Sequence, residues 1–179
     1  MVGMFVGKFL PPHKGHINAI KKAAKQCDKL FVVVGGDEKR NKEICDEANI
    51  PFISLETKTE WIKNELKGIE NVEVISFNEE GIPTMPNGWK EWSEQLKALL
   101  NEKIDIIFGS ERSYENEYKK YFSESKYVLQ DEFREEINIS STKIRSDVNK
   151  YYDYICDSAK PFFKEYLLSQ NKGWERGKD

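Results

Sequence analysis

The chain has 179 residues, a net charge of −3 and a pI near 5.6, enough for one domain with a full core but without the broad basic footprint that nucleic acid or a membrane surface selects. No apolar run approaches the roughly 18 residues that span a bilayer, and the short apolar N-terminus leads straight into a motif, so no signal peptide is expected. Cys27, Cys45 and Cys156 are odd in number and widely spaced, which fits the reduced thiols of a cytoplasmic protein better than a disulfide framework or a zinc site.

Val2 to Val6 reads as a short buried strand, and Ile17, Ile20, Ala23, Ala24 and Cys27 recur at helical spacing. Between them lies GKFLPPHKGH, Gly7 to His16, which holds both of the chain's histidines. This is a strand, a loop stiffened by Pro11 and Pro12, and a helix whose first turn carries His16, where free N–H groups and the helix dipole attract anions. Gly15 is expected to permit close backbone approach, and His13 and His16 to face one phosphate. Taken singly, either histidine would more readily be an ordinary surface or core residue.

Leu30 to Val34 is an unbroken apolar run, the mark of a parallel strand covered on both faces, and it stops at Gly35-Gly36. The loop Asp37 to Arg40 then opens at the same sheet edge, where Arg40 either holds a phosphate or carboxamide or is one charge of a solvated run. Asn41 to Glu56, interrupted by Pro51, reads as loop or short irregular helix. A helix over Thr57 to Leu66 and a strand over Asn71 to Phe77 follow. Asn78 to Gly88 is a shaped loop, and Trp89 to Leu100 a helix with Trp89, Trp92, Leu96 and Leu99 or Leu100 on one face. Ile104 to Phe108 is the next strand, ended by Gly109-Ser110-Glu111, where Gly109 and Ser110 meet a ribose and adenine or merely form a turn.

Tyr114 to Phe122 is helical, Lys126 to Leu129 is the last strand, and the many charges of Glu111 to Glu136 read as solvated surface. ISSTKIR, Ile139 to Arg145, begins a helix capped by Ser140 or Ser141, with Lys143 and Arg145 adding positive charge and Asn138 to Ser140 lining the same crevice. Pro161 to Leu168 is a final helix, and Ser169 to Asp179 a frayed, flexible tail. This alternation predicts an α/β, Rossmann-like domain over 1–179: a parallel sheet of about five strands, helices on both faces, and the site at the C-terminal strand edge.

GKFLPPHKGH resembles the GxFxPxHxGH signature of the nucleotidylyltransferase superfamily, and ISSTKIR resembles its partner motif, ISSTxxR. Gly81 to Ser93, GIPTMPNGWKEWS, and Tyr151 to Phe163, YYDYICDSAKPFF, extend the resemblance to the nicotinamide mononucleotide (NMN) adenylyltransferase domain of the NadR-type bifunctional NAD-biosynthesis protein. The resemblance implies a nucleotidyltransferase fold and synthesis of NAD from NMN and ATP. A sibling acceptor (nicotinic acid mononucleotide, phosphopantetheine or FMN) and a non-catalytic NAD or ATP sensor are the alternatives. Relatives of this type continue into a kinase with a Walker A loop, but Gly173 to Asp179, GWERGKD, lacks its spacing and Ser/Thr. Nor is there room before Met1 for a DNA-binding module, so neither kinase nor repressor activity is expected.

An adenylyltransferase needs no protein nucleophile, because the acceptor phosphate attacks the α-phosphorus of ATP directly; the protein positions phosphates and offsets charge. Lys8, His13, His16 and Arg145 are the expected catalytic donors. By the resemblance, His16 meets the α-phosphate and Arg145 the β- and γ-phosphates. The same match implies an ATP- and NAD-binding set of Gly7, Lys8, Phe9, His13, His16, Arg40, Gly109, Ser110, Glu111, Asn138, Ile139, Ser140, Thr142 and Arg145. Asn87 is expected to bond the NMN carboxamide and Trp89 to stack on its ring. Trp92 belongs to the same NMN-binding group, although its place deeper in the helix suits the core. Mg²⁺ is expected to arrive bound to ATP, with no metal ligands in the chain. The expected partners are ATP, NMN and NAD, with no nucleic acid and no membrane; oligomeric state stays open, a homo-oligomer included.

Overall fold

Five parallel strands, β1 (Val2–Gly7), β2 (Lys29–Gly36), β3 (Val72–Asn78), β4 (Ile106–Gly109) and β5 (Lys126–Leu129), lie side by side in the order β3-β2-β1-β4-β5. The structure, a computed structural model, describes residues 1–132 and 134–170. In β2, Leu30, Val32 and Val34 enter one core while Phe31 and Val33 enter the other, the alternation of a strand buried on both sides.

One face carries α1 (Lys14–Ala24), α3 (Leu55–Glu65), α6 (Ser141–Ser146), α7 (Val148–Tyr151) and α8 (Lys160–Gln170), which contribute Ile20, Ile62, Ile144, Val148 and Phe163 to the first core. The other carries α4 (Trp89–Leu100) and α5 (Glu115–Tyr121), with Trp89, Trp92, Leu96 and Tyr118 in the second. In α4 the inward residue is Leu100, and Leu99 is exposed. Strand order reverses between β1 and β4, and at such a switch point the loops part to leave a crevice at the strands' C-terminal ends.

Three expectations need correction. Asp37 to Arg40 is not an open loop, nor is Asn41 to Glu47 irregular: Asp37 caps helix α2 (Glu38–Glu47), its carboxylate accepting from Lys39 N–H at 3.0 Å. Only Asn41 and Cys45 are buried from that charged helix, too few to set a visible period. Ser54 caps α3 through Thr57 N–H, so Leu55 and Glu56 are helical and Pro51 falls in the connection. Ser169 and Gln170 belong to α8 rather than a frayed tail; the rest of that expected tail, with the GWERGKD stretch, lies outside the described residues. No helix among the described residues is long and apolar enough to cross a membrane, and the three cysteines are free thiols.

Candidate active site

His13 is the N-cap of α1 and His16 its third helical residue, and each caps the other: His16 N–H donates to His13 Nδ1 at 3.2 Å and His13 N–H to His16 Nδ1 at 3.1 Å. This is a capping box with imidazoles in place of the usual hydroxyl and carboxylate. A neutral imidazole whose Nδ1 accepts a hydrogen bond carries its proton on Nε2, so both rings offer an Nε2–H. The rings stack with centroids 3.6 Å apart, and Phe9 packs on His16 edge-on at 4.7 Å. Gly15 leaves room for this arrangement, since a Cβ there would stand 3.0 Å from the His13 ring.

Burial, with Arg134 nearby, pushes the His13 pKa down to about 3. Burial first, then His13 and Arg134, holds that of His16 well below the usual imidazole value. Both side chains are therefore neutral donors at physiological pH. His13 Nε2 is buried and without a partner, an unusual condition for a ring nitrogen.

The loop before them is held from the C-terminal third of the chain. Leu10 O accepts from Arg145 Nη1 at 2.6 Å, Pro11 O from Ser141 Oγ at 2.8 Å, and Pro12 O from Cys156 N–H at 3.2 Å. Ser140, not Ser141, caps α6, accepting from Lys143 N–H at 3.1 Å. Arg145, half-buried, thus has one guanidinium N–H committed to the loop, with another 3.4 Å from Thr142 Oγ1.

A cleft of about 310 Å³ opens between α1, the end of β5 and the segment after it, lined among others by Gly15, Ser110, Gln130 and Arg134 together with both histidines. Of the expected residues, Gly15, His13, His16 and Ser110 come together there. A Cβ at Gly109 would lie 2.4 Å from the Tyr127 hydroxyl, which donates to Glu111 O at 2.7 Å, so the missing side chain leaves room for that tyrosine. Phe9 is buried at φ 50°, its ring against the position a Gly7 Cβ would take. Ile139 is core, and Asn138 Oδ1 accepts from Lys143. Arg40 is exposed on α2, away from the lining of the cleft.

Sequence reasoning missed Arg134. It lines the cleft, donates through Nη1 to Ile139 O at 2.9 Å, and influences both imidazoles. Its only signal was a lone cation within the acidic run Asp131 to Glu136. Lys58 was missed as well: fully buried, it donates to Gly35 O at 3.0 Å, and burial, with Lys8 nearby, lowers its pKa to about 8.

The expected NMN group divides. Near it stands Lys8, expected among the ATP-binding donors: exposed beyond β1, it lies 3.7 Å from Glu79, whose other oxygen accepts from the Trp92 indole N–H at 2.7 Å. Asn87 is exposed in the loop before α4. Trp89 does not present a face at the sheet edge: it is 5% exposed, packed edge-on against Trp92, Tyr114 and Tyr118. Trp92 is core too, at 4%.

Residues 4–147 match the family described as cytidylyltransferase-like. Over 166 residues the chain is 33% identical to the trifunctional NAD biosynthesis/regulator protein NadR of Escherichia coli (strain K12), a match covering 90% of this chain and 40% of that protein. It is 28% identical over 148 residues to the phosphopantetheine adenylyltransferase of Streptococcus gordonii (strain Challis), covering 80% of each. Among solved structures, that of NadR protein in complex with NR is similar with a TM-score of 0.73 at 28% identity, covering 90% of this chain and 45% of that one. The chain thus spans less than half the length of the NadR proteins it matches.

Proposed function

The chain belongs to the cytidylyltransferase-like family of nucleotidyltransferases, and on that premise we propose that it is a nicotinamide-nucleotide adenylyltransferase of NAD biosynthesis, transferring AMP from MgATP to NMN with release of pyrophosphate. The observation that carries the transfer chemistry is the pair of neutral imidazoles, each fixed through Nδ1 and offering Nε2–H at a parallel-sheet switch point. The relation to NadR over nine-tenths of the chain supports NMN as acceptor.

A phosphate oxygen of NMN attacks the α-phosphorus of ATP in line. The new P–O bond forms as the bond to the α,β-bridging oxygen breaks, and that oxygen leaves with the electron pair as pyrophosphate. His13 and His16 donate hydrogen bonds to oxygens on which charge grows, without losing a proton. A preorganised donor of this kind contributes about 3 kcal/mol to the transition state. Arg145, through the donors left free by Leu10, Arg134 at the cleft wall, and Lys8 supply positive charge for the phosphates. Mg²⁺ enters as part of the substrate, carried by ATP.

Asn87 is the side chain offered to the carboxamide, and Asn87→Ala should narrow the preference for NMN over its acid analogue. The phosphopantetheine adenylyltransferase relative supports a second reading, with phosphopantetheine as acceptor. One assay separates them: pyrophosphate release from ATP with NMN, nicotinic acid mononucleotide or phosphopantetheine. Turnover with phosphopantetheine alone would reverse the choice of acceptor, and turnover with none would remove the transferase reading.

A further inference from the structure

Two residues lining the cleft contain buried polar atoms without partners, and they are chemically opposite: His13 Nε2 is a donor and Gln130 Oε1 an acceptor. Gln130 follows β5 directly, and its N–H donates to Gly109 O at 2.7 Å, which fixes its backbone at the sheet edge beside Ser110. Its amide has one workable orientation. Nε2 donates to Ala19 O at 3.2 Å, and turning the amide over would set oxygen against oxygen. The nearby polar side chains Asn18 and Lys22 both donate to Glu136. Gly15, Ala19, Val128, Leu129 and Ile137 make that part of the lining apolar, a surface suited to a flat heterocycle.

We propose that Gln130 reads the base of the donor nucleotide, its Oε1 accepting a hydrogen bond from an exocyclic amine, so that the cleft selects 6-aminopurine triphosphates over 6-oxopurine ones. The proposal rests on the nucleotidyl-transfer reading and assigns its base selectivity to one side chain. An adenine amine satisfies the orphaned oxygen, whereas a 6-oxo group opposes it with a second carbonyl. Rejection by mismatched polar groups discriminates more sharply than shape alone.

The test is calorimetric titration of MgATP and MgITP, which differ at the 6-position, into the protein without acceptor. The wild type should bind ATP about tenfold or more tightly than ITP. Gln130→Met, similar in volume and without the acceptor, should lose most of that ratio by weakening ATP while leaving ITP unchanged or improved; Gln130→Leu serves if the first variant is unstable by thermal denaturation. A wild type indifferent between ATP and ITP, which needs no variant, overturns the proposal, as does a ratio retained in both variants. Strong ATP preference with no turnover of NMN leaves Gln130 in its role and removes only the acceptor assignment; binding of neither nucleotide removes both.

Discussion

His13→Asn separates the helix cap that His13 forms from the donor role proposed for it. Asparagine is among the best N-caps, so its side-chain oxygen can replace Nδ1 as acceptor for His16 N–H. What disappears is the N–H at the reach of Nε2, because the asparagine amide N–H stops short of it, and the ring stacked on His16. Loss of the stack costs about 0.5–1.5 kcal/mol, while the asparagine amide leaves an unpaired N–H in the same buried place as the imidazole did, so stability should fall by about 0.5–1.5 kcal/mol. His13→Ala, by contrast, also loses the cap, a further ~1 kcal/mol. Both should lower kcat about a hundredfold, the equivalent of ~3 kcal/mol of transition-state stabilisation. The measurements are steady-state pyrophosphate release and urea denaturation. If the alanine variant were slow while the asparagine variant kept kcat within about threefold of wild type, His13 would be a helix cap and the donor assignment would fail.

Arg145→Lys retains a cation that can reach the Leu10 carbonyl but gives up the fork that serves loop and phosphate together; KM for ATP should rise or kcat fall by about tenfold, with the NMN constant changed less, and an effect on NMN alone would point to a different contact. Trp89→Ala removes a ring 5% exposed and should destabilise the protein by about 3–5 kcal/mol, read as a large fall in denaturation midpoint; a variant of wild-type stability would put Trp89 back at the surface. Because both imidazoles are neutral well below pH 6.5, kcat should show no inflection near that pH, and a limb there would mean that an imidazolium acts. The same depression has a stability sign: with the folded pKa of His13 at about 3 against 6.5 unfolded, the unfolded chain takes up the proton first. Stability should therefore fall as pH drops through that window, at up to ~1.4 kcal/mol per unit, and less steeply in His13→Asn.

The fold was legible wherever burial on both faces leaves an uninterrupted apolar run, as in Leu30 to Val34, or on one face a helical stripe, as in Ile17, Ile20 and Ala23. The histidine loop was legible from proline and glycine chemistry, and ISSTKIR from its capping serines. The reciprocal cap was not, because no propensity rule lists histidine for both ends of a capping box. Trp89 was misplaced because its direction is set by Tyr114 and Tyr118, from a segment of chain that local periodicity does not join to it. Arg134 was hidden by its acidic neighbours; its bond to Ile139 O is a property of the folded loop.

The clamp on Leu10, Pro11 and Pro12 also ties the histidine loop to the order in which the chain is made. The loop leaves the ribosome well before the residues that hold it, since its three carbonyls find their partners only in Ser141, Arg145 and Cys156. At about 5–20 residues per second, the interval from Pro12 to Cys156 lasts roughly 7–30 s, in which all five strands can emerge with the loop still unclamped. A nascent chain halted before Ser141 would have the sequence of every strand and both histidines, but not the contacts that hold the loop. Acquisition of nucleotide binding should therefore trail formation of the sheet during synthesis.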